Sequence, residues 1–514
     1  MKVVVDKNLE GAHVIVVGSG IAGLSAAIAL SARGARVRVL ERAADPGGRW
    51  APLEADGFAT TLADPIVTQP HVLGQLFALA NLRLSDFLEF RAVDPFLRLV
   101  FADGATFDVH AEREAFAAEV ALSSDAEAER LGRLWPRWEK SAHNAAETVF
   151  TVPGEGNALF RRLLAFPAGW PLAAAALTPW RGPRFSPHHF PKAPLPAVFD
   201  ALAHSWGATA GRAAPQFRVA LLNDLLHGAW VPTAGPRAVL DALLRVCQLN
   251  GIRIVTGACV RSLNIENGVV RHVAGDGFKT LRADIVISTI GIAETLETLV
   301  PACEDRTRAL RRLRRQRPSR SAFLLFLRCR RRWPLFDETP RLLLVPGERL
   351  EMNRQIDHWR VPAAKPPILV TNLSALNGTE DGETLLRLDV PMPPVSDRFR
   401  WSPETISAER ARLLLRLEQH GADGLTDSIM AEAVLSPADV AARLGGGDGA
   451  LFGPSAHRLN GWLTRPAQQS SEFRGLFFAG VDAHPGPGLP HQVLGGMLAA
   501  ERAADAWQQS PPLE

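Results

Sequence analysis

The sequence predicts an α/β protein built on a parallel, Rossmann-like nucleotide-binding sheet, with an α+β region of mixed sheet and helices beside it. Three observations predict this. A strand, a glycine turn and a helix open the chain, a buried valine-isoleucine strand returns near its middle, and a glycine-proline loop feeds an alanine-rich helix at its end. Each unit is an ordinary α/β fragment alone; their order and spacing carry the inference.

The first unit runs from the apolar strand His13-Val-Ile-Val-Val17 through Gly18-Ser19-Gly20-Ile21-Ala22-Gly23 into a helix over 24–31, then a second strand over 36–40 ending at Glu41. Gly18 permits a tight turn, Gly20 lets a pyrophosphate reach the backbone, and Gly23 lets the helix pack on the strand. The helix start offers unpaired N–H groups and a positive dipole end to phosphate. Glu41 stands where a carboxylate accepts from ribose hydroxyls, and it would repel the 2′-phosphate of NADP. After Arg42 comes Pro46-Gly47-Gly48-Arg49-Trp50, with glycines for close backbone approach and an arginine fork for phosphate oxygens.

Downstream, Thr233-Ala-Gly235-Pro236 precedes a predicted helix over 237–249 and a strand over 251–256. Val260 to Ile265 is predicted to pair through an Asn267-Gly268 hairpin turn. The run Ala283-Asp-Ile-Val-Ile-Ser-Thr-Ile290-Gly291 reads as a buried strand returning to the nucleotide. Gly475-Leu-Phe-Phe-Ala-Gly480-Val-Asp482 ends another, and the loop through Gly488-Leu489-Pro490-His491 starts the last helix.

Composition bounds the chemistry. At 47% hydrophobic and 22% charged, the 514-residue chain has the balance of a globular protein rather than a disordered one. It contains no tyrosine, so no phenolic acid or tyrosine cage takes part. Cys247, Cys259, Cys303 and Cys329 show no metal-ligand spacing, and no metal site is expected. The arginine-rich stretch 306–332 lacks any nucleic-acid-binding signature. Its first part, 306–317, reads as an amphipathic helix with Ala309, Leu310 and Leu313 inward. The stretch 159–180 is apolar but broken by Pro167, Gly169, Pro171 and Pro179, so it is expected to lie on a membrane surface rather than cross it. The polar N-terminus is unlike a signal peptide, and the expected location is cytoplasmic, docked on the inner membrane face.

The Glu41…Gly48-Arg49 segment resembles the large flavoprotein superfamily that includes amine oxidases and phytoene desaturases. The His484-Pro-Gly486-Pro-Gly488-Leu489-Pro490 segment resembles the signature of bacterial carotenoid desaturases of the phytoene type. Matches at 57–73, 230–235 and 317–323 extend the resemblance along nearly the whole chain. It implies FAD, held by Gly18, Ser19, Gly20, Ile21, Ala22, Gly23, Glu41, Arg42, Gly48, Arg49, Trp50, Val260, Ile290, Gly291, Gly480, Asp482, Gly488, Leu489 and Pro490. It also implies a discontinuous FAD domain (1–63, 230–300 and 465–514) and a substrate domain (64–229 and 301–464) with a membrane-facing lid at 159–196. The expected reaction is desaturation of C–C bonds in a long apolar, carotenoid-like polyene by hydride transfer to flavin N5, with oxygen or a quinone as electron acceptor. The catalytic candidates are Asp64, His227 and His491. Asp64 and His491 depart from the family pattern, each placing a polar group where a hydrocarbon needs none. The alternative is an amine or pyrroline oxidase of a pigment or natural-product pathway. That branch commonly uses tyrosine walls, and a lysine in the segment corresponding to Ser319-Arg320-Ser321.

Overall fold

The computed structural model describes residues 6–55, 58–148, 193–210, 215–314, 316–377, 382–445, 447–457 and 465–509. The apolar stretch 159–180 and most of the expected lid lie outside them. Among the described residues no helix is long and apolar enough to cross a membrane.

Five parallel strands form the nucleotide-binding sheet in the order Leu476–Phe478, Ile285–Ser288, His13–Val17, Arg36–Leu40, Arg253–Val255. The chain leaves His13–Val17 toward one side and later returns on the other. The strand order therefore reverses there, and a crevice opens beyond its carboxyl end. The predicted α/β class and the three stretches that build the sheet are all found. The hairpin Cys259–Glu266/Val269–Asp276 turns at Asn267 and Gly268, with φ of +50° and +74°, as an Asn-Gly type I′ turn requires.

A second, mixed sheet of seven strands runs Ile429–Leu435, Ser321–Cys329, Thr384–Met392, Ile368–Asn372, Arg341–Leu344, Leu97–Val100, Thr106–Val109. Only Arg341–Leu344 and Leu97–Val100 pair in parallel. The predicted arginine-rich helix is Glu304–Leu313, with Ala309 buried and Leu310 and Leu313 packed partly inward.

Helix Ile21–Ala32 is buried along nearly its whole length from Ile21 to Leu30. It is apolar all round because it is covered on several sides, by the sheet, by Ala238–Leu249 and by the last helix, Leu489–Gln508. Glycine sets the closest approach. A Cβ on Gly496 would lie 2.5 Å from Ala22 O and 2.8 Å from Ala26 N, both immovable backbone atoms.

Gly496→Val is therefore expected to cost roughly 1–3 kcal/mol through overpacking and to lower the thermal unfolding midpoint. Gly74, inside helix His71–Leu79, is the control: a Cβ there meets nothing closer than 3.9 Å. Gly74→Ala is expected to be neutral or stabilising by up to about 1 kcal/mol. Equal effects of the two variants on the midpoint would contradict this packing.

Candidate active site

The crevice is a cleft of about 1380 Å³. Two helix starts open on it, Ile21 and Leu489, so the unpaired N–H groups of both ends of the chain face one space. The glycines of the first turn divide the work. A Cβ on Gly18, held at φ +96°, would sit 2.4 Å from Thr289 Oγ1, and one on Gly23 would sit 2.2 Å from Gly18 O. Those two are packing requirements. A Cβ on Gly20 meets nothing within 4 Å, so its open side faces the cleft.

Glu41 is buried and accepts from Ser19 N at 2.8 Å, Ser19 Oγ at 2.7 Å and Ala43 N at 2.9 Å. This fixes its carboxylate at the cleft wall and uses up Ser19, whose hydroxyl also accepts from Gly47 N at 3.1 Å. Ser19 and Gly23 therefore shape the turn from behind. Gly18, Gly20, Ile21, Ala22, Glu41, Arg42, Gly48, Arg49, Trp50, Val260, Ile290, Gly291, Gly480, Asp482, Gly488, Leu489 and Pro490 all line the cleft.

Arg49 supplies the strongest test of what the cleft holds. Burial pushes its guanidinium down to about 10, with Asp482 opposing the shift, so it stays charged at neutral pH. Among the described residues its side chain makes no hydrogen bond or ion pair, and a half-buried cation so placed on the cleft wall favours an anion beside it. Asp482 accepts from Ile292 N at 3.1 Å, and burial raises its carboxyl above the usual range. Glu294, missed in the sequence, lies 3.8 Å from Arg42. Burial first, and Asp482 second, push it up to about 7 against the pull of Arg42. A row of donors, an unpaired arginine, a fixed acceptor for ribose and glycines open to the cleft fit a dinucleotide's pyrophosphate and sugar.

The catalytic candidates separate. Asp64 lines the cleft, but it is ion-paired with Arg341 and accepts from Ile66 N at 3.0 Å. His491 is buried at the start of the last helix with its ring 4.5 Å from Trp206, and burial pushes it down to about 3. It is a neutral wall group and a poor proton acceptor. His227 is a correction: it is exposed outside the cleft, hydrogen-bonded to Asn223 O at 2.8 Å and against His71, because the last turn of helix Pro215–His227 points it away.

The same helix instead delivers Asp224, whose carboxylate accepts from Gln69 Nε2 at 2.9 Å and Trp206 Nε1 at 3.1 Å. Burial raises it. A lone aspartate among leucines was its signal. His204, Arg387 and Asp389 also line the cleft unforeseen, as do Gly445, Gly447, Asp448 and Gly449. In the buried strand Thr384–Met392, two charges two residues apart had to share one face, a readable sign that this face meets something polar.

Glu294 gives a pH dependence with a definite sign. Its ordinary value is 4.5 and its folded value about 7, so the folded protein binds this proton more tightly than the unfolded chain does. Its contribution to stability falls as pH rises through that window and then levels off. Glu294→Gln is expected to gain thermal stability relative to the parent across the same window. A constant difference between the two unfolding midpoints would contradict the assignment.

Comparison with known proteins agrees with this geometry. A model for an NAD(P)-binding Rossmann-like domain matches residues 16–81, and one for flavin containing amine oxidoreductase matches residues 198–383. The chain is 27% identical to the zeta-carotene-forming phytoene desaturase of Myxococcus xanthus over 96% of its length and 94% of the relative's. It is 28% identical to the all-trans-zeta-carotene desaturase of the same organism, over 98% and 96%. It is 26% identical to the 4,4'-diapolycopene oxygenase of a Methylomonas species, over 96% and 98%. A putrescine oxidase bound to putrescine has the same fold, with TM-score 0.61, 15% identity, and 97% and 99% of the two chains covered. With the fold, the cleft and these matches together, the chain is similar along nearly its whole length to carotenoid desaturases and carries a match to flavin containing amine oxidoreductases, which indicates an FAD-dependent oxidoreductase.

Proposed function

We propose that the cleft binds FAD through the lining residues above and that the protein desaturates C–C bonds of a long, apolar, carotenoid-like polyene. The observation that carries this is the continuity of one cleft. Past Trp50 and the Gly488–His491 turn it runs on between Leu62, Ile66, Phe96, Leu202 and Leu369. At about 1380 Å³ it exceeds the roughly 300–1,000 Å³ of a site for one small ligand, leaving room for substrate beside cofactor. The relatives named for phytoene and zeta-carotene support the polyene. In this reading 1–63, 230–300 and 465–514 form the FAD domain, and 64–229 and 301–464 the substrate domain.

When bound, the flavin supplies the hydride acceptor that a saturated C–C bond needs. The chain's own groups do the rest. The N–H groups at Ile21 and Leu489 and the Arg49 guanidinium hold the cofactor's anionic part, and the apolar walls exclude water from the bond being oxidised. The second hydrogen leaves as a proton. Asp64 is neutralised by Arg341 and His491 is held neutral, whereas Asp224 is a raised carboxylate fixed by Gln69 and Trp206. Asp224 is the acceptor in this proposal. Electrons return to oxygen or a quinone, and the substrate arrives by reversible docking on a membrane surface from the cytoplasmic side.

The fold shared with a putrescine oxidase favours one alternative, an amine or pyrroline oxidase. Against it, Arg320 stands in the segment where that branch commonly has a lysine. It is committed to Asp357 at 2.8 Å and to Asn353 at 2.7 Å. Tyrosine for an aromatic cage is absent.

Product analysis in cells making a set of carotenoid precursors tests the proposal. Pigments with longer conjugation are expected, and unchanged pigments with peroxide release on amines would overturn it. The purified protein is expected to be yellow. Arg49→Met is expected to weaken FAD binding about 10- to 100-fold by removing charge-assisted hydrogen bonds. Undiminished FAD affinity in a titration would remove Arg49 from the cofactor site.

A further inference from the structure

The far part of the cleft is more polar than a hydrocarbon requires. His204, Arg320, Arg341, Arg387 and Asp389 all line it. Most of their charge is spent pairwise. Arg387 donates to both carboxylate oxygens of Asp389 at 2.8 Å, to Thr61 O at 3.1 Å and Leu62 O at 3.0 Å, and to Ala63 O. Its guanidinium also sits 5.6 Å over the Phe326 ring. Arg320 pairs with Asp357, and Arg341 with Asp64. These three pairs cancel, so the cluster has no surplus cation for a carboxylate and no surplus anion for an amine.

What is left over is hydrogen-bonding capacity. Among the described residues the His204 imidazole makes no hydrogen bond, although it lines the cleft at the end of helix Leu195–His204. Burial pushes it down to about 4; Asp389 opposes this shift, while Arg320 and Arg341 add to it. The ring is therefore neutral at physiological pH, with one donor and one acceptor nitrogen. Arg341, itself 8% exposed, has a buried Nε without a partner and spends only Nη2 on Asp64. A neutral donor-acceptor and a partly unspent guanidinium that line the same cleft, near enough for the charge of one to act on the other, complement an uncharged oxygen function.

We propose that His204 and Arg341 form a subsite for a hydroxyl or carbonyl oxygen carried by the polyene, so that the preferred substrate is oxygenated rather than a plain hydrocarbon. The inference rests on the polyene reading above and adds a selective element to it. A buried polar group left without its partner costs roughly 1–3 kcal/mol. A site made to hydrogen-bond an oxygen thus discriminates against the analogue that lacks it more strongly than an apolar pocket discriminates against one extra hydroxyl.

The test is equilibrium binding to the FAD-loaded protein, followed by the shift of polyene absorbance. The probes are an acyclic conjugated polyene and its monohydroxylated counterpart of the same length. The parent is expected to bind the hydroxylated probe about 10-fold or more tightly. His204→Phe is expected to erase that preference mainly by weakening the hydroxylated probe, and His204→Gln, which keeps a donor and an acceptor, to retain most of it. The flavin spectrum and unfolding midpoint of each variant report its folding. Equal affinities in the parent, an unchanged preference in His204→Phe, or binding of neither probe would overturn the subsite. A probe that binds with the expected preference but is never oxidised would leave the subsite standing and remove the desaturase reading.

Discussion

The contact between helix Ile21–Ala32 and helix Leu489–Gln508 brings the two ends of a 514-residue chain to the same cleft, and the site depends on it. Helices of ordinary side chains lie 8–10 Å apart. Here Gly496 lets the backbone of the last helix approach that of Ala22 and Ala26. With the axes this close, both N-termini open on one space. Their dipoles and unpaired N–H groups are then placed to act on one anionic ligand in the proposed reading. Gly23 does the same work between the first helix and the turn at Gly18.

Charge organises the cleft in two different ways. Near the helix starts, the Arg49 side chain makes no hydrogen bond or ion pair among the described residues, which suits that wall to phosphate in the proposed reading. In the far part every arginine has a carboxylate, and Arg387 additionally ties down the carbonyls of the strap from Thr61 to Ala63. Leu62 and Ala63, directly after strand Phe58–Thr61, form part of the cleft wall. Paired charges of this kind add little net stability over apolar packing, but breaking one pair is costly, so they hold a wall in one place. A wall in one place is what a reaction at a single bond of a long chain molecule needs.

The nucleotide-binding half was largely legible in the sequence because its constraints are local. Gly18, Gly20, Gly23, Glu41 and Arg49 answer to a turn, a helix start and the phosphate expected from the sequence, all close together in the chain. The returning strand at 285–288 was legible for the same reason, whereas the order of the parallel strands came from the structure. The far part was less legible because its partners are distant in sequence. Arg387 meets residues 61–63, Arg341 meets Asp64, and Asp224 meets Gln69. No spacing rule connects such pairs. His227 was misplaced for a related reason: an apolar helix announces that it is buried, but not which of two neighbouring polar residues, Asp224 or His227, faces the cleft.

The central claim is that this cleft couples a polyene to a flavin. Anaerobic mixing of the FAD-loaded protein with one equivalent of polyene, followed by optical spectroscopy, tests it most directly. The account predicts that the oxidised-flavin band is lost in step with a red shift of the polyene spectrum, and that the band recovers when oxygen or a quinone is admitted. A flavin that stays oxidised with every polyene offered, and is bleached by an amine, would contradict it.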